Sequence, residues 1–154
     1  MIVLNEGDKA PAFTGRDQDG NKISLKDYSG KPLAIYFYPQ DDTPTCTVQA
    51  CNLRDNISLL RKEGIQVLRI SPDDSSSHKK FIDKFSLPFP PIEDPEHKII
   101  DKFGVWGEKQ LYGRKYMGLH RTTFLLDEKG HIKKIFRKPR SRQHAEDILK
   151  AWNQ

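Results

Sequence analysis

Cys46 and Cys51 are the only cysteines of the chain, and both lie in the stretch Tyr36-Phe-Tyr-Pro-Gln-Asp-Asp-Thr-Pro-Thr-Cys-Thr-Val-Gln-Ala-Cys51. A thiolate is a nucleophile, a reductant and a metal ligand, and the element that holds it decides which of these it becomes. Leu33 to Tyr38 is a short unbroken apolar and aromatic run, which reads as a buried strand ended by Pro39. A helix follows at once. Thr43 is a good N-cap, Pro44 suits the first helical position because its missing N–H would have no partner there, and Gly64 ends the helix after Arg61 and Lys62. Cys46 then sits in the first turn, where free N–H groups and the positive end of the helix dipole draw a thiol towards its anionic form.

At about 100° per residue, Ala50, Leu53, Ile57 and Leu60 continue the stripe that Cys46 begins, so Cys46 faces the core. Cys51 does not. Ideal helix geometry puts it about 140° round and about 7.5 Å along, with the two Cα atoms about 8.7 Å apart. A disulfide does not close beyond roughly 7 Å without backbone movement. If the two cysteines bond, the first turns of this helix must unwind. A nucleophilic cysteine and a second thiol within reach only after local unfolding point to a redox cycle rather than a structural bridge. The residues alone leave open the plainer alternative of two small hydrophobes buried in a helix.

The pattern Pro39-x3-Thr43-x2-Cys46 resembles the active-site signature of the peroxiredoxins, and the Cys-x4-Cys spacing resembles the bacterioferritin comigratory protein or peroxiredoxin Q subgroup. The resemblance continues, in the same order, through Asn5 to Ala12, Ser71 to Asp73, Ser77 to Phe81, Gly104 to Lys109, Tyr116 to Gly118, Arg121 to Leu125 and His144 to Glu146. It implies that Cys46 attacks the terminal oxygen of a peroxide, that Thr43 and Arg121 hold the peroxide and stabilise charge, and that Pro39 shields the thiolate. It further implies that Cys51 resolves the oxidised Cys46 through a transient disulfide, recycled by thioredoxin or a similar reductant. These roles are physically sensible, because displacing an oxygen leaving group calls for donors aimed at the developing negative charge. Taken singly, Thr43 is equally a helix cap, Pro39 a strand terminator and Arg121 a surface charge. Two positions depart from the subgroup pattern: Thr45 stands where glycine is usual, and Gln40 where lysine is common. A β-branched Thr45 stiffens the turn that must unwind.

The elements around this stretch read as follows. An early hairpin spans Phe13 to Ser24 and turns at Asp19-Gly20. After the strand and helix described come a strand at Gln66 to Ser71, a helix at Ser76 to Phe85, a Pro-rich loop at Leu87 to Pro91 and a short helix at Glu96 to Phe103. Gly104 to Gly118 reads as a packed surface loop. A hairpin at Thr122 to Phe136 turns near Glu128-Lys129-Gly130, and a final helix carries Ala145, Ile148, Leu149 and Trp152 at helical spacing. Alternating strands and helices followed by a hairpin predict an α/β fold, a mixed central sheet with helices on both faces. This resembles the thioredoxin-like fold of the peroxiredoxins. At 154 residues a single domain over 1–154 is expected.

The net charge of +5 raises the possibility of nucleic acid, and Lys133, Lys134, Arg137, Lys138, Arg140 and Arg142 crowd one stretch. That stretch reads as solvated strand and helix entry, with no adjoining aromatic platform for bases, so no nucleic-acid partner is expected. Its weaker functional meaning is steering of an acidic reductant protein. His78, His97, His120, His131 and His144 are scattered in the sequence away from one another and from the cysteines, so no metal site is expected. No phosphate-loop spacing points to a nucleotide or other cofactor. No apolar run approaches the roughly 18 residues of a membrane span, and the N-terminal Met-Ile-Val-Leu-Asn-Glu-Gly lacks a signal-peptide pattern, so a cytoplasmic enzyme is expected. The reading is a thiol-dependent peroxidase that reduces hydrogen peroxide and organic hydroperoxides. Two other classes stay open: a dithiol-disulfide oxidoreductase, which the absence of Cys-x2-Cys argues against, and a non-catalytic chaperone or binding module.

Overall fold

A computed structural model describes residues 3–154. The first two residues of the N-terminal stretch considered above therefore lie outside the described residues. The chain runs through β1 (Thr14–Arg16), β2 (Lys22–Ser24), β3 (Leu33–Phe37), α1 (Pro44–Asp55), α2 (Ile57–Lys62), β4 (Gln66–Ser71), α3 (Ser75–Phe85) and β5 (Pro91–Glu93). It continues through α4 (Lys98–Lys102), β6 (Trp106–Leu111), β7 (Arg114–Leu119), β8 (Thr122–Leu126), β9 (Ile132–Phe136) and α5 (His144–Trp152).

Seven strands form one mixed sheet in the order β2-β1-β5-β4-β3-β8-β9. The central β3 pairs parallel to β4 and antiparallel to β8. A strand with neighbours on both sides and helices on both faces has no polar face to show, which is why Leu-Ala-Ile-Tyr-Phe reads as an unbroken apolar run and is buried at every position. The period of two then divides the core. Leu33, Ile35 and Phe37 point into one cluster with Leu68, Ile70, Phe124 and α4 residues Ile99 and Ile100. Ala34 and Tyr36 point into the other, with Cys46, Ala50 and Leu53 of α1, Phe81 of α3, and Ala145 and Ile148 of α5. The sheet and its two helical layers match the expected thioredoxin-like arrangement.

Four local expectations are corrected. The helix that begins at Pro44 does not run unbroken to Gly64. It breaks at Asn56, whose φ of −112° and ψ of 13° leave the helical region, and α2 resumes at Ile57. The Asn56 side chain donates to the Asn52 carbonyl at 2.8 Å, a local bond that competes with the helix ladder. Gly64, at φ +77°, does close α2. Thr43 occupies the N-cap position with extended backbone but makes no side-chain cap bond; its hydroxyl turns back to the Gln40 carbonyl at 3.2 Å. The Pro-rich stretch ends in a strand, β5, in which Pro91 is the first residue, where a missing donor is tolerated. Gly104 to Gly118 is no loop: β6 and β7 pair over their full length around a turn at Tyr112-Gly113. Its strands expose Tyr116 and Met117, so polar and apolar positions fail to alternate and the period-two signal is lost.

Candidate active site

Cys46 is the third residue of α1 and only 2% exposed. It sits where the sequence places it, at the head of the buried stripe Cys46, Ala50, Leu53. Pro44 at the first helical position fixes φ for the turn that carries it. Cys51 follows on the same uninterrupted helix, half-buried, and both sulfurs are free thiols. Because α1 is continuous from Pro44 to Asp55, the separation of about 8.7 Å expected for an ideal helix applies to this pair.

Arg121 precedes β8, and β8 pairs with β3 so that Thr122 faces Phe37. The pairing brings Arg121 beside the C-terminal end of β3, from which the loop to α1 departs. Its guanidinium Nη2 donates to Cys46 Sγ at 2.6 Å, and Nη1 donates to Gln49 Oε1 at 3.0 Å. This sets a charged, planar donor directly on the sulfur. Its planar fork also retains donors for an oxygen brought to that sulfur. Thr43, half-buried, lies three residues before Cys46 with a hydroxyl that has lone pairs and a rotatable proton. Pro39 is half-buried at the end of β3; Tyr38 donates the last bond of that edge to the Ile70 carbonyl, and Pro39, without an N–H, cannot extend the ladder. Arg121 and Cys46 thus meet, while Thr43 lies three residues before Cys46 with its hydroxyl on the Gln40 carbonyl, and Pro39 and Cys51 flank them along the chain.

A second polar group lies under the loop that joins β3 to α1. Asp41 accepts from the Tyr38 hydroxyl at 2.5 Å and from Arg69 Nη1 at 3.2 Å, and its second oxygen lies 2.8 Å from His78 Nδ1 and accepts from Ser77 Oγ at 3.0 Å. Arg69 and His78 are completely buried. Burial pushes the Asp41 carboxyl up, but His78, the Tyr38 hydroxyl and Arg69 together outweigh it and hold it below the usual carboxylate range. Asp73 goes the other way, raised by burial and by the Asp41 charge. Asp41, Asp73 and His78 offer ligand atoms within 4.8 Å of one another. Arg69 already supplies the positive charge there and Asp41 spends its oxygens on the donors named, so the group reads as an internal ion network rather than a metal cradle.

Sequence reasoning missed Gln49, Asp41, Arg69 and His78 as partners of the site. Gln49 is completely buried three residues after Cys46, a spacing that puts it on the same helix face and would have marked it. Arg69 carries the clearest overlooked signal, a lone charge inside the apolar strand run Gln66 to Ser71. The remaining partners, Asp41 and His78, come together only when α3 packs against the loop that follows β3.

The AhpC/TSA family model matches residues 6–135. The chain is 43% identical over 152 residues to peroxiredoxin Bcp of Escherichia coli K12, covering 99% of this chain and 97% of that protein. The chain belongs to the AhpC/TSA family and is a peroxiredoxin. A putative peroxiredoxin Bcp of Haemophilus influenzae is 46% identical, covering 97% of this chain and 96% of that one. Among solved structures, a cysteine-to-serine mutant of Xanthomonas campestris peroxiredoxin Q superposes with a TM-score of 0.86 at 32% identity, covering 92% and 90% of the two chains. A mutant of Xylella fastidiosa PrxQ reaches a TM-score of 0.90 at 27% identity, covering 98% of both. This peroxiredoxin is accordingly a thiol-dependent peroxidase of the Bcp and peroxiredoxin Q kind. Among its described residues, no helix is long and apolar enough to cross a membrane.

Proposed function

We propose that this peroxiredoxin reduces hydrogen peroxide and organic hydroperoxides with Cys46 as the nucleophile and Cys51 as the resolving thiol. The Cys46 thiolate attacks the terminal peroxide oxygen; the S–O bond forms, the O–O bond breaks, and the departing oxygen takes a proton to leave as water or an alcohol. Sulfur is oxidised to the sulfenic acid and the peroxide is reduced by two electrons. Arg121 donates to sulfur and to the oxygens as charge passes between them, and the Thr43 hydroxyl orients the peroxide. Pro39 shields the thiolate from solvent. Cys51 then attacks the sulfenic sulfur, forming the disulfide and releasing water. Two electrons and two protons from thioredoxin or a similar dithiol protein restore both thiols.

The observation that carries this reading is the Arg121 guanidinium on the sulfur of a cysteine in a helical first turn. Attack on a protein disulfide needs a sulfur open to a large partner, whereas Cys46 is 2% exposed and suits a small peroxide better. One sheet spanning residues 14–136 supports a single domain, and a cytoplasmic setting is part of the proposal. Stopped-flow oxidation with hydrogen peroxide and with an organic hydroperoxide, followed by turnover with thioredoxin, tests the proposal. Rapid oxidation by either peroxide and turnover that requires thioredoxin are expected. Reduction of protein disulfides with no reaction towards peroxides would instead mark a dithiol oxidoreductase.

A further inference from the structure

Four cations without a carboxylate partner share one face beside the helix that carries both cysteines. Lys134 lies on β9, an edge strand of the sheet; Lys138 and Arg142 follow it in the chain, and Lys150 lies on α5. All four are exposed, and none has an ion-pair partner among the described residues. Arg140, between them, is neutralised by Asp147, which accepts from its Nε at 3.0 Å and its Nη2 at 2.6 Å.

The four cations line two adjoining hollows. Lys134, Lys138 and Lys150 surround one of about 300 Å³, in which Asp147 is the one carboxylate. Arg142 lines the other, of about 470 Å³, which has no carboxylate and reaches Pro44, Thr45 and Val48 of α1. Arg140 borders both, so they form one continuous face. That face is fastened beside Cys51. Asn52, the next residue, donates to the Arg142 carbonyl at 3.0 Å and accepts from the Ala145 backbone N–H at 2.8 Å. The cations themselves belong to β9, the segment after it and α5, so their placement does not depend on how α1 rearranges when the cysteines bond.

Like charges gathered at a surface repel one another and add nothing to the fold. Their effect is on a visitor: a positive face raises the local concentration of a negatively charged partner and speeds its arrival. Exposed side chains spread over two hollows, rather than converging on one buried point, suit a broad acidic surface better than a small anion. Pro44 and Val48, the latter 38% exposed, add the apolar centre that protein interfaces carry inside a charged rim.

We propose that Lys134, Lys138, Arg142 and Lys150 form the docking face for the protein that reduces the Cys46–Cys51 disulfide, a dithiol protein with an acidic surface beside its own cysteines. The proposal rests on the reading above that a dithiol protein completes the cycle. The partner's thiolate attacks one sulfur of the disulfide, the S–S bond breaks and a mixed disulfide forms; the partner's second thiol then displaces it. Two electrons and two protons pass to this chain, and the partner leaves as a disulfide. The cations act on the encounter and not on the exchange itself.

Steady-state turnover with hydrogen peroxide and an acidic thioredoxin, measured across a salt series, tests this. The variant Lys134→Glu/Lys138→Glu/Lys150→Glu should lower kcat/KM for thioredoxin on the order of tenfold and reverse or flatten its fall with salt. Arg142→Gln alone should reproduce part of that loss. Lys26, Lys31 and Lys129 line a hollow at the opposite end of β3, beside Leu33. Reversing those three instead changes net charge equally and should alter kcat/KM less than about twofold, because salt screens charges so far from the cysteines. With dithiothreitol, a neutral dithiol, and in oxidation by peroxide alone, both triple variants should match the wild type. The proposal is overturned if the two triple variants lose thioredoxin turnover equally, if the first loses none, or if its loss is matched with dithiothreitol. Tight binding of a fluorescent oligonucleotide, with thioredoxin turnover indifferent to the reversals, would assign the face to nucleic acid and overturn it too. Wild-type protein that forms the disulfide yet is not turned over by thioredoxin would instead refute the thioredoxin-type reductant itself, and the docking face with it.

Discussion

Arg121 Nη2 lies 2.6 Å from Cys46 Sγ, although 75 positions separate the two residues in the chain. The antiparallel pairing of β8 with β3 closes that gap, because it sets the residue before β8 beside the end of β3 from which the loop leads into α1. In the proposed mechanism the Cys46 sulfur is met by two independent devices, the amino end of a helix and a guanidinium that comes from the residue before another strand. Removing the guanidinium should leave the fold in place and slow the chemistry.

Arg121→Ala is expected to lower the second-order rate constant for oxidation by peroxide on the order of a hundredfold, the usual effect of losing one preorganised charged donor. Arg121→Lys should recover only part of the loss, because a point charge cannot hold both the sulfur and Gln49. Stopped-flow fluorescence or competition kinetics measures this. An unchanged rate constant in the alanine variant would reduce Arg121 to a structural residue.

Thr45 is exposed within the turn that must open. Replacing it by glycine should favour the opened form by roughly 0.5 kcal/mol and speed disulfide formation about twofold. Faster resolution leaves less time for a second peroxide to react, so Thr45→Gly should need a higher peroxide dose to over-oxidise Cys46 to the sulfinic acid. Intact-mass measurement across a peroxide series checks both effects.

Arg69→Leu should be strongly destabilising. It strands the buried Asp41 carboxylate, and breaking one side of a buried ion pair typically costs about 3–5 kcal/mol. Denaturant unfolding of the reduced protein gives the value. A loss below about 1 kcal/mol, the range of exposed ion pairs, would show that Asp41 finds water or another donor once Arg69 is gone.

His144 supplies a pH dependence. It is completely buried, its Nε2 is 2.8 Å from Thr123 Oγ1, and burial lowers its pKa from 6.5 to about 4 despite the opposing charge of Asp147. The unfolded chain therefore takes up a proton at higher pH than the folded one does. Its contribution to stability is fully present above pH 6.5, falls as the pH drops, and is gone below about 4. The contribution is on the order of 3 kcal/mol. Unfolding midpoints at pH 7.5 and pH 4.5 should differ less in His144→Gln, which keeps a polar partner for Thr123 and does not titrate. An identical pH slope in the two proteins would contradict the assignment.

Much of this was legible in the residues because local rules decided it. Pro44 in the first turn, the apolar run of β3 and the stripe from Cys46 to Leu53 follow from backbone chemistry and periodicity, and each lies where those rules put it. What stayed hidden needed tertiary pairing. Arg69 is a polar interruption in an apolar strand until Tyr38 and Asp41 are brought against it. The β6–β7 hairpin escaped notice because its strands are largely solvent-exposed and no buried face imposes an alternation on them. Asn56 bonds to the Asn52 carbonyl rather than simply continuing the helix, a side-chain choice that helical propensity alone does not reveal.

The division of labour between the two cysteines is tested most directly by adding one equivalent of hydrogen peroxide to Cys46→Ser and to Cys51→Ser in the presence of dimedone, then mapping the labelled peptide by mass spectrometry. Cys51→Ser should consume its equivalent rapidly and carry the sulfenic-acid adduct on Cys46, while Cys46→Ser should remain unlabelled over the same interval. Rapid consumption by Cys46→Ser, with the adduct on Cys51, would contradict the account.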